Sequence, residues 1–415
     1  MSINQVSNKP YDLIVFGATS FVGQILTRYL VETIGANGDV SWAIASRSAT
    51  KLSSLKDSLG TAASELPVLI ADSHDEASLQ ALCDQTGVII STVGPYALYG
   101  ELLIKACAES GTDYTDLTGE AHWIAQMKDK YNQAAKASGA RIVNCCGFDS
   151  IPSDMGVFAM QQQAQAQFGH PMPHAKLRVK AMKGGASGGT IASMIEGLKA
   201  AKADPALRKK MANPYLLCGS DHQYTNRALS VSSPQFDQDF NCWIAPFIME
   251  AINSRVVLHS NALLDMAYGK DFSYSEGMLT GKGLKGRIGA ILSTVGFGLA
   301  GVCLYFSPTR ALLEKCVLPA PGEGPSPEAQ LNGYFDVRVH GRDDQGNQLT
   351  VKVTGDRDPG YGSTAKMLGQ AGLCLAFDIS KEDRAGGFLT PSVAMGNALL
   401  TRLEAHSGLT FEACN

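Results

Sequence analysis

Six short apolar runs, separated by five segments of helical spacing, fill the first 150 residues and restrict the chain to few architectures. Tyr11 to Phe16 (YDLIVF) is the first run, and Val40 to Ala45, Pro67 to Ile70, Val88 to Ser91, Asp113 to Asp116 and Arg141 to Cys145 follow. Runs this short and this apolar read as strands covered on both faces. Between them, Phe21 to Thr33, Thr50 to Leu59, Asp75 to Cys83, Glu101 to Glu109 and His122 to Ala137 carry apolar residues at helical spacing. Strands separated by helices must pair in parallel through right-handed crossovers, which gives a doubly wound α/β sheet.

The loops at the carboxyl ends of these strands carry the chemistry. Gly17-Ala18-Thr19-Ser20-Phe21-Val22-Gly23 joins the first strand to the first helix. In a dinucleotide-binding turn the first glycine makes the bend, the second lets the backbone reach a pyrophosphate, and the third lets helix and strand approach; here the second is replaced by a small serine. Ser20 takes the middle place, where its hydroxyl can bond a phosphate while the helix N-terminus favours the anion. The second strand ends in Ser46-Arg47-Ser48, where an NAD-specific fold carries an acidic residue. An arginine there suits a 2′-phosphate, so the expected cofactor is NADP(H) in preference to NAD(H). Asp72 closes the third strand, either facing the adenine or capping the next helix. Thr92, Val93 and Gly94 leave the fourth strand with small residues over which a cofactor can lie, and Glu120 either bonds the nicotinamide ribose or starts its helix. These features predict a Rossmann domain over 1–150.

From 151 to 355 the rhythm changes to a mixed α+β domain of the substrate-binding and dimerising kind. His174 to Met182 alternates as a strand, Gly184 to Gly189 is glycine-rich, and Gly333 to His340 with Gln348 to Thr354 reads as a hairpin. Pro319 to Pro327 is a loop, and 356–415 is read as helices returning to the first domain, with Tyr361 to Phe377 and Ser392 to Glu404 the clearest. A net charge of -4 argues against nucleic-acid binding. The ten cysteines form no C-x-x-C pair, no metal is expected, and the polar N-terminus shows no secretory signal.

The blocks GATSFVG, ASRS, STVGPY, DYTDLTGE, CCGFDSIPSD, SGGT, PGYGSTAKM and GGFLTPSVAMG occur in the order seen in saccharopine dehydrogenase-like oxidoreductases. The chain most resembles the branch of that family containing trans-acting enoyl reductases. The resemblance implies an N-terminal NAD(P)-binding domain, a second domain on the substrate side, and C-terminal helices that return to the first. It also implies reduction of an enoyl bond on a carrier-bound polyketide or fatty-acyl chain, in complex-lipid or glycolipid synthesis. Hydride delivery to an enoyl group also needs a proton donor. Tyr96 and Asp149 are the candidates, each with a structural alternative: Tyr96 stacking or filling its turn, Asp149 capping the helix that starts at Ile151-Pro152. Ser150, after the sixth strand, and Tyr361, in a glycine-rich turn near the domain junction, are further donors. Arginines at 178, 208, 227, 255, 287 and 310 are dispersed, which weighs against a dicarboxylic amino-acid substrate. The alternatives are a saccharopine-type amino-acid dehydrogenase and a non-catalytic, cofactor-binding protein of lipid surfaces.

Ile288 to Phe306 is nineteen residues without a charge, flanked by Lys282, Lys285 and Arg287 before it and Arg310 and Lys315 after it. Two readings stand: an element buried in the second domain or an apolar wall for an acyl substrate on one side, and a re-entrant or interfacial helix on a membrane on the other. The expected partners are a small-molecule or carrier-bound acyl substrate, a second copy of the chain, and a membrane or lipid surface through 288–306. The expected location is cytoplasmic, peripheral to that surface.

Overall fold

The computed structural model of the chain describes residues 9–185, 188–316, 318–319 and 322–414. The polar N-terminus read for a signal therefore lies mostly outside the described residues, as do residues 186–187 of the glycine-rich stretch and 320–321 of the proline-rich loop. The backbone divides into two units that are discontinuous in sequence. The first takes residues up to Ile151, Gly322–Gly324 and Gly360–Gly408; the second takes Pro152–Pro321, Pro325–Pro359 and the segment from Leu409.

In the first unit, strands β1 (Tyr11–Phe16), β2 (Trp42–Ser46), β3 (Val68–Ile70), β4 (Thr86–Ser91), β5 (Asp113–Thr115) and β6 (Arg141–Val143) occupy the six expected places within a few residues. The second unit contains β7 (His174–Lys183), β8 (Gln235–Asp237), β9 (Cys242–Ala245), β10 (Ser273–Gly281), β11 (Tyr334–Arg342) and β12 (Gln348–Gly355). The last 60 residues are not only helical, as their sequence suggests. They also supply β13 (Gly387–Leu389) and β14 (Leu409–Cys414), one to each sheet.

The first sheet runs β13-β6-β5-β4-β1-β2-β3, parallel throughout. Strand order reverses at β1, which pairs β2 on one side and β4 on the other, and open parallel sheets take their ligands at such a switch point. The helix Thr364–Phe377 covers this sheet, and its small residues set how close it comes. A Cβ on Gly372 would lie 2.4 Å from Ile90 Cδ1, and one on Gly369 would lie 3.1 Å from Leu26 Cδ1. Arg141, at the start of β6, is buried in an ion pair with Asp113 of β5. Its remaining N–H groups donate to Leu375 O at 2.9 Å and Ile379 O at 2.8 Å, so the late helix completes a network begun in the early strands.

The second sheet runs β14-β12-β11-β7-β10-β9-β8, with β7 and β10 parallel and every other pair antiparallel. The expected hairpin is β11–β12: Asp343 Oδ1 accepts from Gln345 N and Asn347 N to hold the loop. Gly156 of the helix Ile151–Phe168 lets Val339 and Val353 pack closely. On β10, Glu276 is fully buried and accepts from Tyr274 Oη at 2.6 Å, Ser153 Oγ at 2.7 Å and Asn253 Nδ2 at 2.9 Å. Burial still raises its pKa to about 7.

Candidate functional site

The bend after β1 depends on a glycine. Gly17 sits at φ +86°, a conformation that a side chain resists, and a Cβ there would come within 2.6 Å of Val93 and 2.8 Å of Thr92 Oγ1. A Cβ on Gly23 would lie 2.2 Å from Gly17 O, so the helix Phe21–Ile34 can begin this close to the turn only with glycine. Gly17 N and Ala18 N both donate to Ala45 O, which ties the turn to β2. Ser20 is the helix N-cap: its Oγ accepts from Gly23 N at 2.9 Å and donates to Thr92 Oγ1 at 3.0 Å. Thr92 in turn donates to Gly17 O at 2.8 Å. Ser20 and Thr92 therefore brace the turn, and among the described residues the amides of Thr19, Phe21 and Val22 have no acceptor. These amides, at the positive end of a 14-residue helix, are suited to an anion.

Ser46 is buried at the end of β2 and accepts from Ser48 N, while Ser48 caps the helix Ala49–Leu59 by accepting from Lys51 N. Arg47 between them is exposed, and among the described residues it has no hydrogen bond or ion pair. Asp72 does not cap the next helix. Its Oδ1 accepts from His74 N at 3.0 Å, and Asp75 is the N-cap.

Beyond β4 the structure puts Tyr96 in the turn-filling position that its sequence reading also allowed. Its ring is buried against Trp123, and its hydroxyl donates to Ser91 O at 3.1 Å and accepts from Leu117 N at 3.4 Å. Burial, with Asp116 nearby, pushes its pKa well above the ordinary tyrosine value. A phenol fastened to two backbone groups in the interior fixes a loop. Glu120 is likewise a backbone clasp, accepting from Tyr96 N at 2.9 Å and Ala97 N at 2.8 Å. Val93 is half-buried and Gly94 exposed on the segment between β4 and that clasp.

Asp116 is a residue that sequence reasoning does not single out. Its only signal is its place at the end of the run Asp113-Tyr114-Thr115-Asp116. In the structure it is buried and accepts from Tyr114 Oη, Thr118 N, Asn144 Nδ2 and Cys145 N, which ties the ends of β5 and β6 together. Burial outweighs these bonds and raises its pKa to about 6.

The loop after β6 is strained. Cys145 at φ +63° and Ser150 at φ +127° both lie where L residues are rare, and such residues cost about 1–3 kcal/mol each. Phe148 N donates to Thr364 Oγ1 at 2.9 Å, which docks this loop on the late helix. Between the two strained residues stands Asp149, half-buried, and among the described residues its carboxyl has no hydrogen bond or ion pair. It therefore does not cap the helix Ile151–Phe168. Desolvation raises its pKa to about 7. Tyr361 is buried with its ring edge-on to Phe21 at 5.2 Å, which makes it a packing residue of the same unit.

No cluster of three or more metal-ligating side chains occurs among the described residues. His170 and His174 are four apart, but they lie outside a helix and pair separately with Asp343 and Asp344.

Residues 13–143 match the family model of the saccharopine dehydrogenase NADP-binding domain. A Mycobacterium tuberculosis protein provisionally named a trans-acting enoyl reductase is 39% identical, over 96% of each chain. The trans-acting enoyl reductase of Mycobacterium ulcerans is 35% identical, again over 96% of each. This chain belongs to the trans-acting enoyl reductase family. In fold it also resembles the glutamate-forming saccharopine dehydrogenase of Saccharomyces cerevisiae, with a TM-score of 0.52 and 12% identity over 97% of this chain and 99% of that one.

As a member of that family the chain is an NADP(H)-dependent oxidoreductase, and its first unit fits the cofactor. The open amides of Thr19, Phe21 and Val22 would take the pyrophosphate, and the unpaired Arg47 would take the 2′-phosphate. Gly17 and Gly23 give the backbone its close approach, while Ser20, Thr92 and Ser48 serve by bracing and capping.

Proposed function

We propose that the chain reduces the carbon–carbon double bond of an enoyl chain carried as a thioester, within the synthesis of a complex lipid, and that Asp149 delivers the proton. The observation that carries the reading is an unpartnered carboxyl with a pKa near 7, held in a strained loop at the carboxyl end of β6. Its setting in a protein 33–39% identical to relatives named trans-acting enoyl reductases supplies the reaction class. NADPH held at the turn after β1 would supply the hydride for the new C–H bond at the β-carbon. The α-carbon then needs a proton, and a carboxyl half-protonated near neutral pH can both give it and regain it from water. Against a dicarboxylic amino-acid substrate stands the use of the arginines: Arg178 is buried in a pair with Asp237, and Arg255 donates to backbone carbonyls.

The test is NADPH oxidation with enoyl thioesters of increasing chain length, with saccharopine as the competing substrate. A general acid works only in its protonated form, so kcat should be highest below about pH 7 and fall above it. Asp149→Asn should bind NADPH normally, lose about 10²–10⁴-fold in kcat and lose the pH dependence. Turnover of saccharopine alone overturns the substrate class, and full activity of Asp149→Asn overturns the proton donor.

A further inference from the structure

The helix Gly283–Tyr305 contains nearly all of the uncharged run, and it is not a core element. Its mean hydropathy is 1.8 over the apolar window, yet only 11% of that window is buried. Gly286, Ala290 and Leu304 are its buried residues. Leu292 is 66% exposed and Leu299 61%, and every residue from Val295 to Val302 is exposed. Eight consecutive exposed positions exceed two helical turns, so at that level the helix is apolar and open on every face. The start of the helix is seated on its own unit: Thr280 Oγ1 donates to Gly286 O at 2.9 Å, and the Arg287 guanidinium lies 5.4 Å from the Trp243 ring.

Charge surrounds this apolar body. Lys282, Lys285 and Arg287 are exposed at its base, Lys202 lies 5.1 Å from the Tyr305 ring at its far end, and the sequence from Gly277 to Leu313 contains no acidic residue. A second copy of the chain seated on this face would bring two basic rims together without acidic partners, whereas anionic headgroups complement them. Topology decides the depth. β10 precedes the helix and β11 follows it, and both pair with β7 in one sheet, so the chain returns to the side from which it left. A single span is excluded. Ile288 to Tyr305 is about 27 Å long at about 1.5 Å per residue, too long to stand upright in one leaflet of about 15 Å.

We propose that Gly283–Phe306 inserts obliquely into one leaflet of an anionic lipid bilayer as a monotopic anchor, with Lys282, Lys285 and Arg287 at the headgroups. The anchor does not depend on which bond the enzyme reduces, because vesicle binding is read without turnover.

The experiment is flotation of the full chain with phosphatidylcholine vesicles, with and without about one third phosphatidylglycerol. The wild type should float with the anionic vesicles and less with the neutral ones, and high salt should narrow that difference without releasing the inserted protein. Leu292→Asp with Leu299→Asp should reduce flotation at least tenfold, while NADPH affinity and the melting temperature stay at wild-type values. Val295→Trp keeps the face apolar and should be quenched by brominated lipid tails. Wild-type protein that stays at the bottom of the gradient overturns the proposal. So does a tryptophan at 295 that brominated tails leave unquenched, or a wild-type dimer that the Asp pair converts to monomer without any vesicle binding.

Discussion

Asp149 illustrates how one side chain can serve catalysis at the expense of stability. Its pKa is about 3.8 in the unfolded chain and about 7 in the folded one, so between these values the folded state holds more protons. Stability from this group is therefore full below the unfolded pKa and is lost as pH rises through about 7. Asp149→Asn removes the ionisation. It should be more stable than wild type at pH 8 by about 1–2 kcal/mol, a figure discounted for screening by crevice water, and the gain should shrink toward pH 5. Thermal melts of both proteins across that range check the sign. Arg47 is a second single-residue test. If it pairs with the 2′-phosphate, Arg47→Ala should weaken NADPH binding by about 1.5–3 kcal/mol and leave NADH binding nearly unchanged, as titration with the two cofactors would show. Equal losses for both would place the 2′-phosphate elsewhere.

At the scale of elements, the turn after β1 is the least forgiving. Gly23→Val would drive a side chain into Gly17 O and Ala18, and both are backbone, so helix and turn must separate. The expected result is loss of NADPH binding together with about 1–3 kcal/mol of stability, read by calorimetry and denaturant melts. This turn was legible in the sequence because its glycines answer to backbone geometry, which spacing reveals. The six strands were legible for a similar reason, since burial on both faces leaves continuous apolar runs. β10 was not, because Glu276 interrupts its pattern, and only the fold shows that Tyr274, Ser153 and Asn253 satisfy that acid. Tyr96 was ambiguous for the opposite reason: its position after β4 suggests a donor, and only the structure reveals Ser91 O accepting from its hydroxyl and Leu117 N donating to it. Asp149 could be named from its loop, but the choice between cap and free acid needed coordinates.

At the scale of the whole molecule, the first unit is not the first 150 residues. It needs Gly360–Gly408, which the chain supplies only after building most of the second unit. Eleven of the fourteen residues of the helix Thr364–Phe377 are buried, and this helix packs on Leu26 and Ile90. Without it the buried Arg141 loses the carbonyls of Leu375 and Ile379, and β6 becomes a bare edge where β13 had paired. Arg141 keeps Asp113 but loses two charge-assisted hydrogen bonds, each worth about 1.5–3 kcal/mol, against a typical margin of about 5–15 kcal/mol. A fragment of residues 1–151 is therefore expected to show no cooperative thermal transition and to bind NADPH at least tenfold more weakly than the full chain. Joining residues 360–408 to it through a flexible glycine–serine linker should restore both. Circular dichroism melts and cofactor titration read the outcome, and a fragment 1–151 that melts cooperatively with full NADPH affinity would show that the late segment only decorates a domain already complete.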